Sequence, residues 1–416
     1  MKPALPNTHL LCTPAAPQAR PRRRRPFVLT VLALGLSAAA QAQITPWADP
    51  LPEPEPVRPL TWQAGGQWQH DDNVLRSSQG AVADHIWVAN AGMRLDKSYS
   101  QQRVEVQAKL DAYRYQRTSA LDFNALNYLA AWHWALGPAW SGRIAAERRQ
   151  WVDRLGDASA SGLIRRTETA QTLQAQYRLG ADWRALGGLF ERRQDNTDPS
   201  GQEPDSTLRG GELGLRYVLP AEHSLSYRLR QGQGSYSGSA AAVDDFTERE
   251  HAFDWNWVAT GQLRLQGQFG HLARDHAQQP GRDFSGWVAR AGAQWELTGK
   301  TSLSAGLVRE LAAYQTLDAS YYEGDRLYVA PQWQAGVKTW LRLRLEQGER
   351  RYKGALPGAL AAGRQDRLRL ASLELQWQAL RSLRLIASAQ RDERSSNVAG
   401  ADYRARILAL SAQASF

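Results

Sequence analysis

The sequence predicts an all-β fold: a transmembrane antiparallel up-and-down β-barrel of about 18 strands, of the outer-membrane type. Three observations carry this. Segments of about 12 to 15 residues alternate apolar and polar side chains from residue 61 onward. The gaps between them are alternately short and long, the asymmetry of a barrel with tight turns at one end and loops at the other. Tryptophans recur on the apolar side close to the short gaps, where an aromatic girdle would lie.

The N-terminus reads as a leader. Arg22 to Arg25 form a basic cluster, Phe27 to Ala40 is apolar, and Ala40-Gln41-Ala42 is a small-x-small cleavage site. Residues 1–42 are thus expected to be a secretory signal peptide cut after Ala42. The apolar run is too short for an ordinary transmembrane helix. The leader holds six Lys/Arg and no acid, leaving 45 basic and 41 acidic side chains in the remainder. The formal charge of +10 therefore does not argue for a nucleic-acid partner. Cys12 lies within the leader and is the single cysteine, so neither disulfide nor thiolate chemistry is expected after cleavage. Residues 43–60 form a Pro-rich periplasmic linker: Pro46, Pro50, Pro52, Pro54, Pro56 and Pro59 alternate with charges and favour extended chain.

The barrel is expected over 61–416. Short gaps with turn chemistry fall at 136–138, 180–182, 220–222, 260–262, 298–300, 336–338 and 380–382. Long polar gaps fall at 70–83, 116–123, 151–166, 195–206, 235–247, 276–282, 315–324, 353–365 and 392–401. Within strands the faces separate cleanly. Leu341, Leu343 and Leu345 alternate with Arg342, Arg344 and Glu346; Leu225, Tyr227 and Leu229 alternate with Arg228 and Arg230. Trp62, Trp134, Trp140, Trp183, Trp257, Trp295, Trp333 and Trp377 all sit near short turns. The last strand places Leu408, Leu410, Ala412, Ala414 and Phe416 on one face. Phe416 is expected to close the barrel and, with its strand, to engage the barrel-assembly machinery, while lipid covers the apolar face.

Enzyme motifs are weak. Thr298-Gly299-Lys300-Thr301 has the wrong upstream spacing for a P-loop and reads as a turn. His271 and His276 bring no further ligands, so no metal and no cofactor is expected. Asp71-Asp72-Asn73, with Arg76 beyond it, reads as a solvated loop motif rather than a calcium loop. The wet faces carry the more telling chemistry. Arg143, Arg184, Arg216, Arg228, Arg230, Arg264, Arg290, Arg342, Arg344 and Arg384 would point into a closed lumen together with Glu212 and Glu374. Guanidinium forks bind carboxylate, sulfate or phosphate, and an excess of one sign concentrates counter-ions. Pairing with wall carboxylates and an anion-selective conduit both remain open from the sequence.

Several short stretches, in order, resemble a known family. They include Gln67-Trp68-Gln69-His70-Asp71-Asp72-Asn73-Val74-Leu75-Arg76, Tyr113-Arg114-Tyr115, Tyr217-Val218-Leu219-Pro220, Arg309-Glu310-Leu311-Ala312-Ala313-Tyr314-Gln315 and Arg351-Tyr352-Lys353-Gly354-Ala355-Leu356-Pro357-Gly358. Over about 60–416 the chain resembles the EpsL-type outer-membrane β-barrel protein of exopolysaccharide clusters linked to the PEP-CTERM/exosortase system. The resemblance implies a role in exopolysaccharide biosynthesis or export in the cell outer membrane, with the polysaccharide and other export-cluster proteins as partners. It brings no catalytic residues. The function expected from sequence is therefore a non-enzymatic conduit with an arginine-lined lumen for an acidic polysaccharide. A porin for uptake of small anions or oligosaccharides is the alternative, and a barrel enzyme trimming the polymer comes third.

Overall fold

A computed structural model describes residues 59–153, 164–197, 204–220, 223–237 and 244–416. The expected signal peptide and most of the expected linker lie outside the described residues. Eighteen antiparallel strands are found among those described: β1 Leu60–Asp71, β2 Asp84–Tyr99, β3 Gln102–Tyr115, β4 Phe123–Leu136, β5 Trp140–Asp153, β6 Ile164–Leu179, β7 Trp183–Thr197, β8 Asp205–Val218, β9 Ser224–Ser237, β10 Asp245–Val258, β11 Leu263–His276, β12 Phe284–Thr298, β13 Thr301–Ala313, β14 Tyr321–Gly336, β15 Thr339–Lys353, β16 Gln365–Trp377, β17 Leu383–Ser396 and β18 Tyr403–Ser415. Each pairs with its sequence neighbours, and β1 pairs with β18 from Gln63↔Ser415 to Asp71↔Ile407. The main chains of Trp62 and Phe416 exchange hydrogen bonds at 2.8 and 3.0 Å below that ladder. The sheet thus has no edge, the condition for a β-structure to sit in hydrocarbon.

The register makes one face of every strand continuous round the ring. The outward rows are apolar: Leu408, Leu410, Leu213 and Leu189 are 51, 58, 70 and 62% exposed. Across the apolar band the inward rows hold the charges, with Arg216, Arg228 and Glu212 at 2, 5 and 5%. A water-soluble sheet would show the reverse. Of the eight tryptophans expected in the girdle, seven lie 44–50% exposed on the outward face next to the short-turn rim.

One short turn escapes the sequence pattern. β2 and β3 join through Ser100 and Gln101, and Ser100 adopts a left-handed φ of 56°. No glycine or proline advertises it, because serine tolerates this conformation at a cost. The Thr298–Thr301 segment is a turn: the Thr298 hydroxyl accepts the Lys300 and Thr301 N–H groups at 3.2 and 3.0 Å.

Two long loops depart from the solvated connections expected. The loop after β1 is clamped. Arg76 donates a bidentate pair to Asp71 at 2.9 and 2.8 Å, and Asn73 donates to the Arg404 carbonyl of β18 at 3.0 Å. Asp71, Asn73 and Arg76 are only 2–3% exposed. Burial opposes the Arg76 charge, but Asp71 and Asp392 more than offset it and hold the guanidinium above its ordinary range. The Asp71 carboxylate is therefore engaged by an arginine, and Asp72 accepts the Arg406 main-chain N–H at 2.6 Å. The expected solvated motif is instead a buried clasp across the β1–β18 seam.

The loop between β13 and β14 is the second departure. β13 parts from β12 after Arg309 yet stays paired with β14 to Ala313↔Tyr321. The freed hairpin tip bends into the lumen. Ala313 packs against Phe190, Leu208, Tyr236 and Phe246, which belong to β7 through β10. Ala319 and Ser320, expected in a polar gap, are 1 and 0% exposed.

Candidate functional site

The inward hairpin tip and the wall of β5 to β12 enclose a cavity of about 270 Å³. Local sequence explains how the tip is held. Ala312 and Ala313 are small enough to approach the opposite wall, and Tyr314 stacks edge-on against Tyr352 at 4.9 Å. Gln315 bridges to the next loop: its carbonyl accepts from Arg282 at 2.9 Å, and its amide lies 3.3 Å from the His276 ring. Beneath, Ser320 donates to the Gly354 carbonyl at 2.6 Å, and Asp318 accepts the Leu360 and Ala361 N–H groups at 2.9 and 3.0 Å. The β15–β16 loop thus props the tip from behind. Two of the stretches that carry the family resemblance, 309–315 and 351–358, meet here.

The facing wall is shaped to receive it. Gly210 and Gly232 sit opposite each other on β8 and β9. A Cβ built on Gly210 would lie 2.7 Å from the Phe190 ring and 2.6 Å from the Gly232 Cα. The absence of side chains lets the Phe190 ring lie flat on the sheet, and the Arg230 guanidinium covers it at 4.1 Å. Arg274 sits 4.1 Å over the Phe246 ring.

Eight arginines line the cavity, Arg166, Arg192, Arg228, Arg230, Arg274, Arg290, Arg350 and, where β13 bends inward, Arg309, against four glutamates, Glu168, Glu248, Glu250 and Glu310. The pairing is uneven. Arg228 is saturated by Asp254 at 2.6 and 2.8 Å and by Glu212 at 3.3 Å. Arg274 reaches Glu248 at 2.5 and 3.2 Å. Arg192 and Arg230 stand further from Glu168 and Glu250, at 3.5 Å each, outside good hydrogen-bond range. Arg290 makes no hydrogen bond among the described residues and has Arg326, Glu310 and Glu250 as charged neighbours. Fixed, partly uncompensated guanidinium groups in a narrow space attract a passing carboxylate without closing on it.

All ten arginines expected in the lumen lie on inward rows, but they do not form one cluster. Arg228, Arg230 and Arg290 reach the cavity. Toward the short-turn end, Arg184 and Arg216 are cross-strand neighbours, and Arg184 also faces Arg178 on its other side. Arg216 donates to the Ser226 hydroxyl at 3.1 Å. Around the opposite arc, Arg342 pairs with Glu374 at 2.9 Å and Arg344 with Glu346 at 2.7 Å, while Arg384 contacts Gln378 at 3.4 Å. Arg143 and Arg264 occupy inward positions of β5 and β11. Glu212 belongs to the Arg228 cluster. Sequence reasoning missed Arg166, Arg192, Arg274 and Arg350, which lie near the long-loop ends of their strands. It also missed the tip residues Tyr314 and Gln315. The signal available was composition: Ala312, Ala313, Ala319, Tyr321 and Tyr322 are poor choices for a solvated loop. His271 faces outward against Trp287 at 5.2 Å, whereas His276 faces the lumen, so the two are on opposite sides of the wall.

Residues 256–416 match the family model described as "Putative beta-barrel porin 2". Among solved structures, the outer membrane protein opdK from Pseudomonas aeruginosa is similar with a TM-score of 0.49 and 9% identity, covering 86% of this chain and 99% of that one. OccK2 (OpdF) of Pseudomonas aeruginosa, solved in complex with glucuronate, is similar with a TM-score of 0.48 and 12% identity, over 86% and 98% of the two chains. No curated protein matches the sequence.

Proposed function

We propose that this porin-like barrel lies in the outer membrane with its short turns toward the periplasm, and that it passes small anionic solutes such as sugar acids. The observation that carries the reading is the cavity behind the inward tip, where arginines outnumber glutamates. A solute with a carboxylate and several hydroxyls fits its mixture of guanidinium forks, amides and aromatic faces. β18, apolar outward and paired with β1 at the closure, is the segment we assign to engagement by the assembly machinery. In planar bilayers, added sugar acids are expected to interrupt the ion current of the purified barrel in a concentration-dependent way, and the matching neutral sugars are not. Equal block by both would remove the anionic assignment.

The convergence of stretches 309–315 and 351–358 on the constriction favours a second reading, in which the barrel serves exopolysaccharide export. An extended polymer would then require the tip to swing out of the lumen. Surface polysaccharide should fall in a strain lacking the protein; unchanged polysaccharide removes the export role and leaves the porin.

A further inference from the structure

At the long-loop end, the outward faces of several strands carry charges just above the apolar band. On β7 and β8 and on β13 to β15 these pair off. Arg351 pairs with Asp325 at 2.8 Å, Arg309 with Asp325 at 3.5 Å and Lys353 with Glu323 at 2.7 Å. Arg209 pairs with Glu191 at 2.9 Å and Arg193 with Asp195 at 2.7 Å.

On β16, β17 and β18 they do not cancel. One outward row runs Arg369–Glu393–Arg404, and the next runs Ala371–Arg391–Arg406. Arg391 and Arg406 are direct cross-strand neighbours of like charge, an arrangement that destabilises a bare sheet. Glu393 is the single acid in the two rows, and both Arg391 and Arg404 turn to it. Next round the ring, Asp72 spends an oxygen on the Arg406 main chain rather than its guanidinium. Arg404 and Arg391 remain 84 and 56% exposed at the side chain. Directly below, Leu373, Leu408 and Leu410 alternate with Ala371, Ala387 and Ala389 on the outward face. Small residues among leucines make a shallow strip that can seat several acyl chains side by side.

We infer that this patch binds a phosphorylated glycolipid of the outer leaflet, its phosphates held by Arg391, Arg404 and Arg406 and its acyl chains lying on the strip. The inference rests on the outer-membrane orientation proposed above and not on what the lumen conducts. Charge and height select the ligand: guanidinium groups at the top of an apolar band meet phosphates at headgroup level. Multiple arginines and a broad strip favour a ligand with more than one phosphate and several chains over a two-chain phospholipid. Because β18 is one side of the seam, the bound lipid would also brace the closure.

The test is native mass spectrometry of the full detergent-solubilised barrel titrated with lipopolysaccharide, with dephosphorylated lipopolysaccharide and with phosphatidylglycerol. The native barrel should retain intact lipopolysaccharide, and the R391E/R406E double variant should lose it by about tenfold or more, the scale of two charge-assisted contacts. The R209E variant, whose arginine is paired with Glu191 on the outward face of β7 and β8, should bind as the native barrel does. Heat-modifiable migration on gels confirms that each variant is folded. Equal retention by R391E/R406E, or by the dephosphorylated lipid, overturns the site; equal binding of phosphatidylglycerol overturns the glycolipid assignment. A barrel that conducts anions but retains no glycolipid sinks this inference alone, and one that retains it but conducts nothing sinks the porin reading alone.

Discussion

Replacing residues 314–320 with a two-residue Asn-Gly turn is expected to raise single-channel conductance severalfold. Those residues form the inward tip, and Ala313 before them already touches the wall of β7 to β10. The narrowest section of a pore dominates its resistance, so shortening the tip should act far more strongly than changes elsewhere on the wall. An 18-stranded barrel leaves an aqueous channel unless something fills it. Asn-Gly supplies the left-handed pair of a tight hairpin turn, so β13 and β14 can stay paired. The outward apolar face is untouched, and the variant should insert and run as a heat-modifiable band like the native barrel. Conductance at the native value in such a folded variant would mean that the resistance lies elsewhere.

Arg76→Met is expected to cost about 3 kcal/mol of unfolding free energy, because it strands a buried carboxylate. Asp71 loses its bidentate partner, Asp392 loses a cation 4.0 Å away, and the loop no longer covers Tyr403. The effect should be local to the closure. Hydrogen exchange should accelerate in β1 and β18 before it does in β6 to β9. Arg76→Lys keeps the charge but cannot make the fork, and should recover part of the loss. Urea unfolding from lipid vesicles measures both; a midpoint unchanged in Arg76→Met would show that the seam holds through main-chain pairing alone.

Much of this fold was legible in the sequence because lipid enforces the simplest possible pattern. A strand with hydrocarbon on one side and water on the other must alternate, as Leu341 to Glu346 and Leu225 to Arg230 do. Tight turns announce themselves where a left-handed residue is needed, as at Gly137 and Gly180; Ser100 does the same task without the customary glycine and stayed hidden. Alternation says which face a side chain takes, but not whether the strand bends into the barrel. That is why the β13–β14 tip reads as a polar loop from sequence, although its alanines and tyrosines are what a packed segment needs. The lumen arginines illustrate the same limit. Their inward orientation follows from periodicity, but whether a carboxylate is close enough to hydrogen-bond, as for Arg228 and not for Arg290, depends on which strands become neighbours. Asp71 and Arg76 are close in sequence, yet their clasp has meaning only because the last strand lies alongside.

The most direct measurement is the zero-current potential of the unmodified barrel across a potassium chloride gradient in a planar bilayer. The cavity's surplus of arginine over glutamate predicts a sign showing chloride passing more readily than potassium, shrinking as salt screens the wall. A potential of the opposite sign at low salt would contradict the account.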